Sequence, residues 1–440
     1  MKNKKWMAIL LGGIMAASLA APCSVSAAEK TTLTFWHAMG GTNGEVLQQI
    51  VDDFNASQDE IEIKAEYQGT YDDTITKLKA AMQSDSGLPD VCQMYDVGTK
   101  FMYDSGAVIP VEDKFESTGY DKSSVMEVIS SYYTVDGKQY AMPFNVSTPM
   151  LYYNKDVFEA AGLDPETPPT TYDEVLEDAK KIVESGAAPV GYSQAIYGWF
   201  FEQQLAGLGV TYGNNDNGRK EAVTAVDFDS NGGGLKVFDM WKKLYDSGYF
   251  EDYGTTTADT QTAFFSGQVG MIIESTAILK NAVDSSPFEV GTGYLPRIEQ
   301  NDEGGVIIGG GSLWLTDTGN EANEDAAWKF IEYITTPDVQ AKWSMGTGYF
   351  AINEKAYETD DMKAYLKENP NFETAINQLK DSPVNCNTAG VLSGVQTEAR
   401  LTFNEIMPQV YDGKLTTQDA VDQLAASVNK AIENYNESIK

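Results

Sequence analysis

The sequence predicts an α/β protein built as two lobes. Residues 32–95 alternate strand, helix, strand, helix, strand, the pattern of a mainly parallel sheet with helices packed on it. A mostly helical stretch, 155–290, is followed by a return to strand and glycine-loop chemistry at 291–296 and 304–314. And 440 residues exceed what one ordinary hydrophobic core serves.

The chain begins with a leader pattern. Lys2, Lys4 and Lys5 precede an apolar run from Trp6 to Ala21, and Val25-Ser26-Ala27 supplies small residues for cleavage after Ala27. This predicts a signal peptide over 1–27 and a periplasmic or extracellular product. Ala20-Ala21-Pro22-Cys23 is a poor lipoprotein signal, so anchoring through Cys23 is the less favoured route.

The elements then come in order. Thr32–His37 reads as a strand; Val46, Leu47, Ile50, Val51 and Phe54 recur at helical spacing; Ile61, Ile63, Ala65 and Tyr67 alternate as in a half-buried strand. Ile75, Leu78 and Met82 mark a second helix, and Pro89–Tyr95 a third strand. Gln139–Pro143 is expected to cross between lobes, with Leu151–Asn154 a strand beyond it. Thr171 and Glu174 make a capping box after the rigid Pro168-Pro169 connector. Leu235, Phe238, Trp241 and Leu244 form one stripe; Ala327, Phe330, Ile331 and Ile334 form another, and the last hundred or so residues are helical in pattern.

Composition excludes several function classes. With 31 basic and 65 acidic residues the net charge is −34, and losing Lys2, Lys4 and Lys5 takes it to −37. Such a charge opposes binding to nucleic acid and anionic membrane. Beyond the leader only Cys92 and Cys386 remain, and two buried thiols are the favoured reading over a disulfide. His37 is the single histidine, and no Cys/His metal spacing occurs, so no metal site and no cofactor are expected. No G-x-S-x-G elbow, P-loop or dinucleotide fingerprint is present. A glycosidase needs only two carboxylates, and the acidic residues leave that reading open. Asn214–Asn217 and Asp227–Asn231 superficially suggest calcium loops, but neither completes an EF-hand, so both read as surface loops.

Several segments resemble the family 1 extracellular solute-binding proteins of ABC importers. They are TLTFWHAMGG, QGTYDDTITKLKAAM, QMYDVGT, PFNVSTPMLYYNKDVFEAAGLDP, TAFFSGQVGMII, IIGGGSLW and MGTGYFAIN, in the family's order across nearly the whole chain. The resemblance implies a two-lobed periplasmic-binding-protein fold of type II, with hinge-linked lobes and a ligand cleft between them. It places one lobe at 29–145 plus 296–340 and the other at 146–295 plus 341–440. It also implies a non-catalytic, monomeric protein whose partners are a small phosphorylated polyol or sugar and the permease subunits of the importer.

The likeness is strongest to the branch that binds glycerol 3-phosphate. By that likeness the ligand residues are Tyr71, Asp96, Ser147, Trp199, Ser275, Gly309, Tyr349 and Arg400. Two departures concern the glycerol end: Asp96 is shorter than the family's glutamate, and Ile196-Tyr197 stand where a second tryptophan is usual. The implied solute is glycerol 3-phosphate or a related glycerophosphodiester; the alternative is a neutral sugar or oligosaccharide lining up on Tyr95, Tyr153, Trp199 and Trp314.

The residue types suit an enclosed phosphate independently of the resemblance. Desolvating an anion demands directed donors. Hydroxyls of Ser147, Ser275 and Tyr349, backbone N–H groups near Gly309 and the Arg400 guanidinium could supply them. Ser275 precedes an expected helix, Thr276–Ala282, whose first N–H groups favour an anion. Each residue also has a structural reading: Arg400 in a salt bridge, Trp199 in an aromatic core, Gly309 in a turn, and Trp36 and His37 in packing.

Overall fold

The computed structural model describes residues 30–84 and 87–440. The expected signal peptide and Cys23 lie outside the described residues. The strands are β1 (Thr31–His37), β2 (Ile61–Tyr67), β3 (Val91–Tyr95), β4 (Val108–Ile109), β5 (Thr134–Val135), β6 (Lys138–Gln139), β7 (Met142–Ser147), β8 (Pro149–Asn154), β9 (Val190–Ser193), β10 (Val269–Ser275), β11 (Val290–Gly293) and β12 (Gly309–Thr316).

Two sheets organise the chain. The first runs β2-β1-β3-β12-β4, with β7 also paired to β12. Its opening three strands are parallel, as the strand–helix alternation predicts. β12 arrives from the other lobe and enters reversed, antiparallel to β3, β4 and β7. The second sheet runs β11-β8-β10-β9. Strands β5 and β6 pair as a small hairpin.

Local chemistry explains the elements. Leu33 and Phe35 of β1 are buried in one core with Leu47, Ile50, Val51 and Phe54 of the helix Gly41–Ser57, and Phe35 meets Phe330 of the helix Glu321–Ile334 edge-on at 5.5 Å. The helix Tyr71–Met82 starts at Thr70, whose side chain accepts from the Asp73 N–H while Asp73 accepts from the Thr70 N–H. The same reciprocal cap, Thr171 with Glu174, opens Tyr172–Ser185 as the sequence predicts.

The second sheet divides its side chains between two cores, as strand alternation requires. Met150, Tyr152 and Ile272 join the core that continues from the first sheet. Leu151, Tyr153, Met271 and Ile273 face the other core, with the helices Gly198–Gly207, Gly233–Asp246, Gln396–Tyr411 and Thr417–Ser438.

Three passages of chain link the lobes. Between β7 and β8 only Thr148 intervenes, and its carbonyl accepts from the Thr276 N–H at 2.8 Å. The segment 294–308 returns from β11 to β12 pressed on the helix Gly198–Gly207. A Cβ at Gly304 would lie 1.9 Å from the Ala206 carbonyl oxygen, so only glycine passes there. The third passage lies later than the expected boundary at 341, which falls inside the helix Pro337–Thr347. That helix packs on Gly41–Ser57, and its buried Trp343 stacks on Phe144 of β7 at 4.6 Å. An apolar anchor of this size keeps residues just beyond 341 on the first lobe. The chain has reached the second by Gln378, whose Nε2 donates to the Pro149 carbonyl at 2.7 Å.

Candidate functional site

The lobes face each other where β3 and β7 end and β12 begins, and the first lobe contributes an aromatic and amide wall. Tyr71, first in its helix, stacks on Tyr95 at 5.1 Å with the rings 7° apart. Asn145 of β7 donates from Nδ2 to the Tyr71 hydroxyl at 2.6 Å and accepts from Gln93 Nε2 at 2.6 Å. Gln93 in turn accepts from the Ala38 N–H. Tyr349 adjoins this group, stacked on Trp343 at 5.6 Å. Burial pushes the Tyr71 hydroxyl well above its ordinary pKa, and nearby Tyr349 and Asp96 add to the shift. The Tyr71 hydroxyl is therefore a neutral donor and acceptor at any physiological pH.

The second lobe supplies Trp199 and Arg400 from two helices in close contact. A Cβ at Gly198 would sit 2.5 Å from the Arg400 Cα, so glycine permits the approach. Asn404 fixes it by accepting from the Gly198 N–H at 2.9 Å. Ser147 closes β7 directly opposite Gly309 of β12. Gly309 then meets Trp199: a Cβ there would stand 2.6 Å from the indole Cζ2. The Trp199 Nε1 is buried without a hydrogen-bond partner among the described residues.

Arg400 is the centre of the arrangement. Its Nε donates to Glu202 Oε1 at 2.8 Å and its Nη2 to Glu202 Oε2 at 2.7 Å. The same Nη2 donates across the cleft to Asp96 Oδ2 at 2.8 Å. All three groups are buried. Burial works against the guanidinium charge, yet Asp96 and Glu202 outweigh it and hold its pKa well above the ordinary value. Glu202 is displaced upward, because its burial exceeds the lowering by Arg400. The sequence leads one to expect a local positive pole; the structure gives a guanidinium between two carboxylates, one charge short of neutral.

Other cross-lobe contacts surround this triad. The Tyr95 and Thr397 hydroxyls lie 2.6 Å apart, and the Tyr435 hydroxyl donates to Asp104 at 2.7 Å. Arg219 donates to the carbonyls of Tyr132 at 2.8 Å, Gly390 at 3.0 Å and Ala389, with its guanidinium over the Tyr132 ring. Burial without a carboxylate partner pulls its pKa down to about 10. Arg219 comes after a left-handed turn over Asn215, Asp216, Asn217 and Gly218. Asn217 holds that turn, accepting from the Tyr212 and Gly213 N–H groups and donating to the Cys386 carbonyl. The stretch is thus a built junction rather than a plain surface loop.

Of the eight residues expected at the site, the structure joins Tyr71, Asp96 and Tyr349 on one lobe. It links Asp96 to Arg400 and sets Gly309 against Ser147 and Trp199. Ser275 is engaged locally. Its side chain accepts from the Ala277 N–H at 3.1 Å, and the chain continues as a turn, Thr276–Ile278, and a seven-residue helix, Leu279–Ser285. The expected anion-binding helix start after Ser275 is therefore divided and its cap occupied. Beside Ser275, Glu274 is buried with neutral donors only, Gln261 Nε2 at 2.9 Å and the Ser275 N–H at 2.7 Å. Burial pushes its pKa up to about 7.

Sequence reasoning missed Glu202, Asn145 and Gln396. Glu202 had a signal: a lone carboxylate inside GWFFEQQLAG, a helix whose buried positions run from Gly198 to Ala206. Among the described residues no cluster of His, Cys, Asp and Glu suits a metal ion, and no helix is long and apolar enough to cross a membrane.

The model of the bacterial extracellular solute-binding proteins matches residues 49–374. The chain belongs to this family. It is thereby the solute-binding component of an ABC importer. It is 31% identical over 417 residues to the sn-glycerol-3-phosphate-binding periplasmic protein UgpB of Escherichia coli K12, covering 93% of this chain and 94% of that one. Among solved structures, the cyclic α-maltosyl-1,6-maltose binding protein of Arthrobacter globiformis superposes with a TM-score of 0.77 at 25% identity, covering 92% of this chain and all of that one. UgpB of Mycobacterium tuberculosis, in complex with glycerophosphocholine, gives 0.79 at 20% identity, covering 93% of this chain and all of that one. These likenesses establish the two-lobed α/β binding-protein fold.

Proposed function

We propose that this protein captures glycerol 3-phosphate or a related glycerophosphodiester between its lobes and presents it to the permease in the closed form. The observation that carries the reading is Arg400, a buried guanidinium at the seam whose Nη2 already binds an anionic oxygen from the opposite lobe. A phosphate oxygen entering the cleft takes the position of Asp96 Oδ2. Tyr71, Tyr349, Ser147 and the Trp199 N–H then offer donors, and Gly309, lacking a Cβ, lets the Trp199 indole lie against β12. The stacked Tyr71–Tyr95 pair and Trp199 provide flat walls for the carbon skeleton. Ser275 uses its hydroxyl oxygen as acceptor in its cap and keeps its O–H to donate. Contacts from both lobes make closure and binding one process. The relative that binds glycerol 3-phosphate and the neighbour holding glycerophosphocholine agree with this chemistry.

Calorimetric titration of the secreted form tests it, with glycerol 3-phosphate, glycerophosphocholine, inorganic phosphate and a maltose series. The expected result is binding of a glycerol phosphate that weakens by about 2–5 kcal/mol in Arg400→Ala, the range for truncating one member of a buried charge pair. Heat with maltose or longer sugars alone would refute the ligand. A loss smaller than tenfold in Arg400→Ala would refute the role of Arg400.

A further inference from the structure

Glu202 and Arg400 belong to the same lobe, and their pairing does not depend on closure. Their helices, Gly198–Gly207 and Gln396–Tyr411, touch so closely that Gly198 has no space for a Cβ. Both oxygens of Glu202 engage the guanidinium, and Gln396 Nε2 donates to Oε1 at 2.9 Å. A two-point contact of this kind is the strongest form of the carboxylate–guanidinium pair. Asp96 differs in every respect. It reaches Arg400 from the other lobe, through one oxygen and to one nitrogen.

We propose that Glu202 sets the charge selectivity of the cleft, so that Arg400 receives a phosphodiester in preference to a phosphate monoester. The inference rests on the reading that Arg400 meets the ligand's phosphate. When the solute enters, the single-point Asp96 contact gives way and the Glu202 contact stays. The incoming group then meets a guanidinium whose charge Glu202 has already cancelled, with the Asp96 carboxylate still close by. A diester carries one negative charge and exchanges for the Asp96 oxygen like for like. A monoester at neutral pH carries close to two. Its second charge has no counterpart among the groups that face Glu202. Those are Arg400 and Gln396 from Gln396–Tyr411, Asp96 from the first lobe, Tyr197 before its own helix, and Tyr212. Repulsion between like charges is strong in a site this buried.

The test is calorimetry on the secreted form and on Glu202→Gln at pH 8.0, with glycerophosphocholine, glycerol 3-phosphate and inorganic phosphate as probes. The expected result is a wild-type Kd at least tenfold lower for the diester than for the monoester. In Glu202→Gln that ratio falls at least tenfold, through tighter monoester binding. A second measurement needs no variant. From pH 8.0 to 5.5 the monoester becomes largely a monoanion, since its second pKa is about 6, and its wild-type affinity should approach that of the diester. A ratio unmoved by both Glu202→Gln and pH, or a wild type that prefers the monoester, overturns this inference and leaves the role of Arg400 standing. A wild type that binds none of the three probes overturns both.

Discussion

Replacing Glu274 by Gln should make the protein more stable at alkaline pH than at acid pH, relative to wild type. Glu274 is buried in β10 and, among the described residues, accepts from Gln261 and from the Ser275 N–H alone. Its pKa is about 7 in the folded protein, against 4.5 ordinarily. Between those values the folded state holds a proton that the unfolded state has lost, so stability falls as pH rises through the window. A displacement of about 2.5 units at 1.36 kcal/mol per unit gives about 3 kcal/mol between pH 4.5 and pH 8. Glutamine removes that slope while keeping an oxygen for the Ser275 N–H. His37 acts oppositely. Burial lowers its pKa to about 4, so its contribution is lost as pH falls below 6.5. The same loss occurs in both proteins and cancels in their difference. Urea unfolding of wild type and Glu274→Gln at half-unit steps from pH 5 to 8 measures the effect. Curves that stay parallel across that range would refute the reasoning.

Three further outcomes are expected. Arg400→Leu should destabilise the protein by about 3–5 kcal/mol at pH 8, because it leaves Asp96 and Glu202 buried without a cation. Arg400 lowers the pKa of Glu202 against the rise that burial imposes, so losing it lets that carboxylate take up a proton more readily, and thermal melts at pH 5 should show a smaller deficit than at pH 8. Gly309→Ala puts a methyl group 2.6 Å from Trp199 Cζ2; it should cost about 1–3 kcal/mol, read as a lower melting temperature with altered tryptophan fluorescence. Cys92, pushed up to about 12 by burial, should resist a thiol reagent at pH 8 until denaturant is added, whereas the partly exposed Cys386 reacts. Mass spectrometry of the labelled protein distinguishes the two.

The elements that obey simple periodicity were legible in the sequence. The β1–helix–β2 opening, the Thr171–Glu174 cap and the C-terminal helices all appear where residue spacing puts them. The reversal of β12 was not legible, because strand direction depends on a partner more than two hundred residues away. The boundary at 341 failed for a related reason: Trp343 chooses Phe144 by shape, and nothing local announces it. At the candidate site, Tyr71, Asp96 and Arg400 were proposed through family likeness. Their mutual arrangement was not, since the charge of a cleft depends on which acids reach it. Glu202 decided that here, and only its position on an otherwise apolar helix marked it.

The Asp96–Arg400 contact also bears on how solute leaves. An importer must release at the membrane what it gathered outside, and very tight capture slows delivery. On the proposed reading, the solute enters by exchange, displacing an internal oxygen that bridges the lobes. Its net gain is the difference between its own contact with Arg400 and the one it removes. On departure Asp96 can resume its place on Nη2, so the cross-lobe contact is remade while Glu202 keeps the guanidinium paired throughout. On that reading the internal carboxylate eases unloading as well as lowering the affinity of loading.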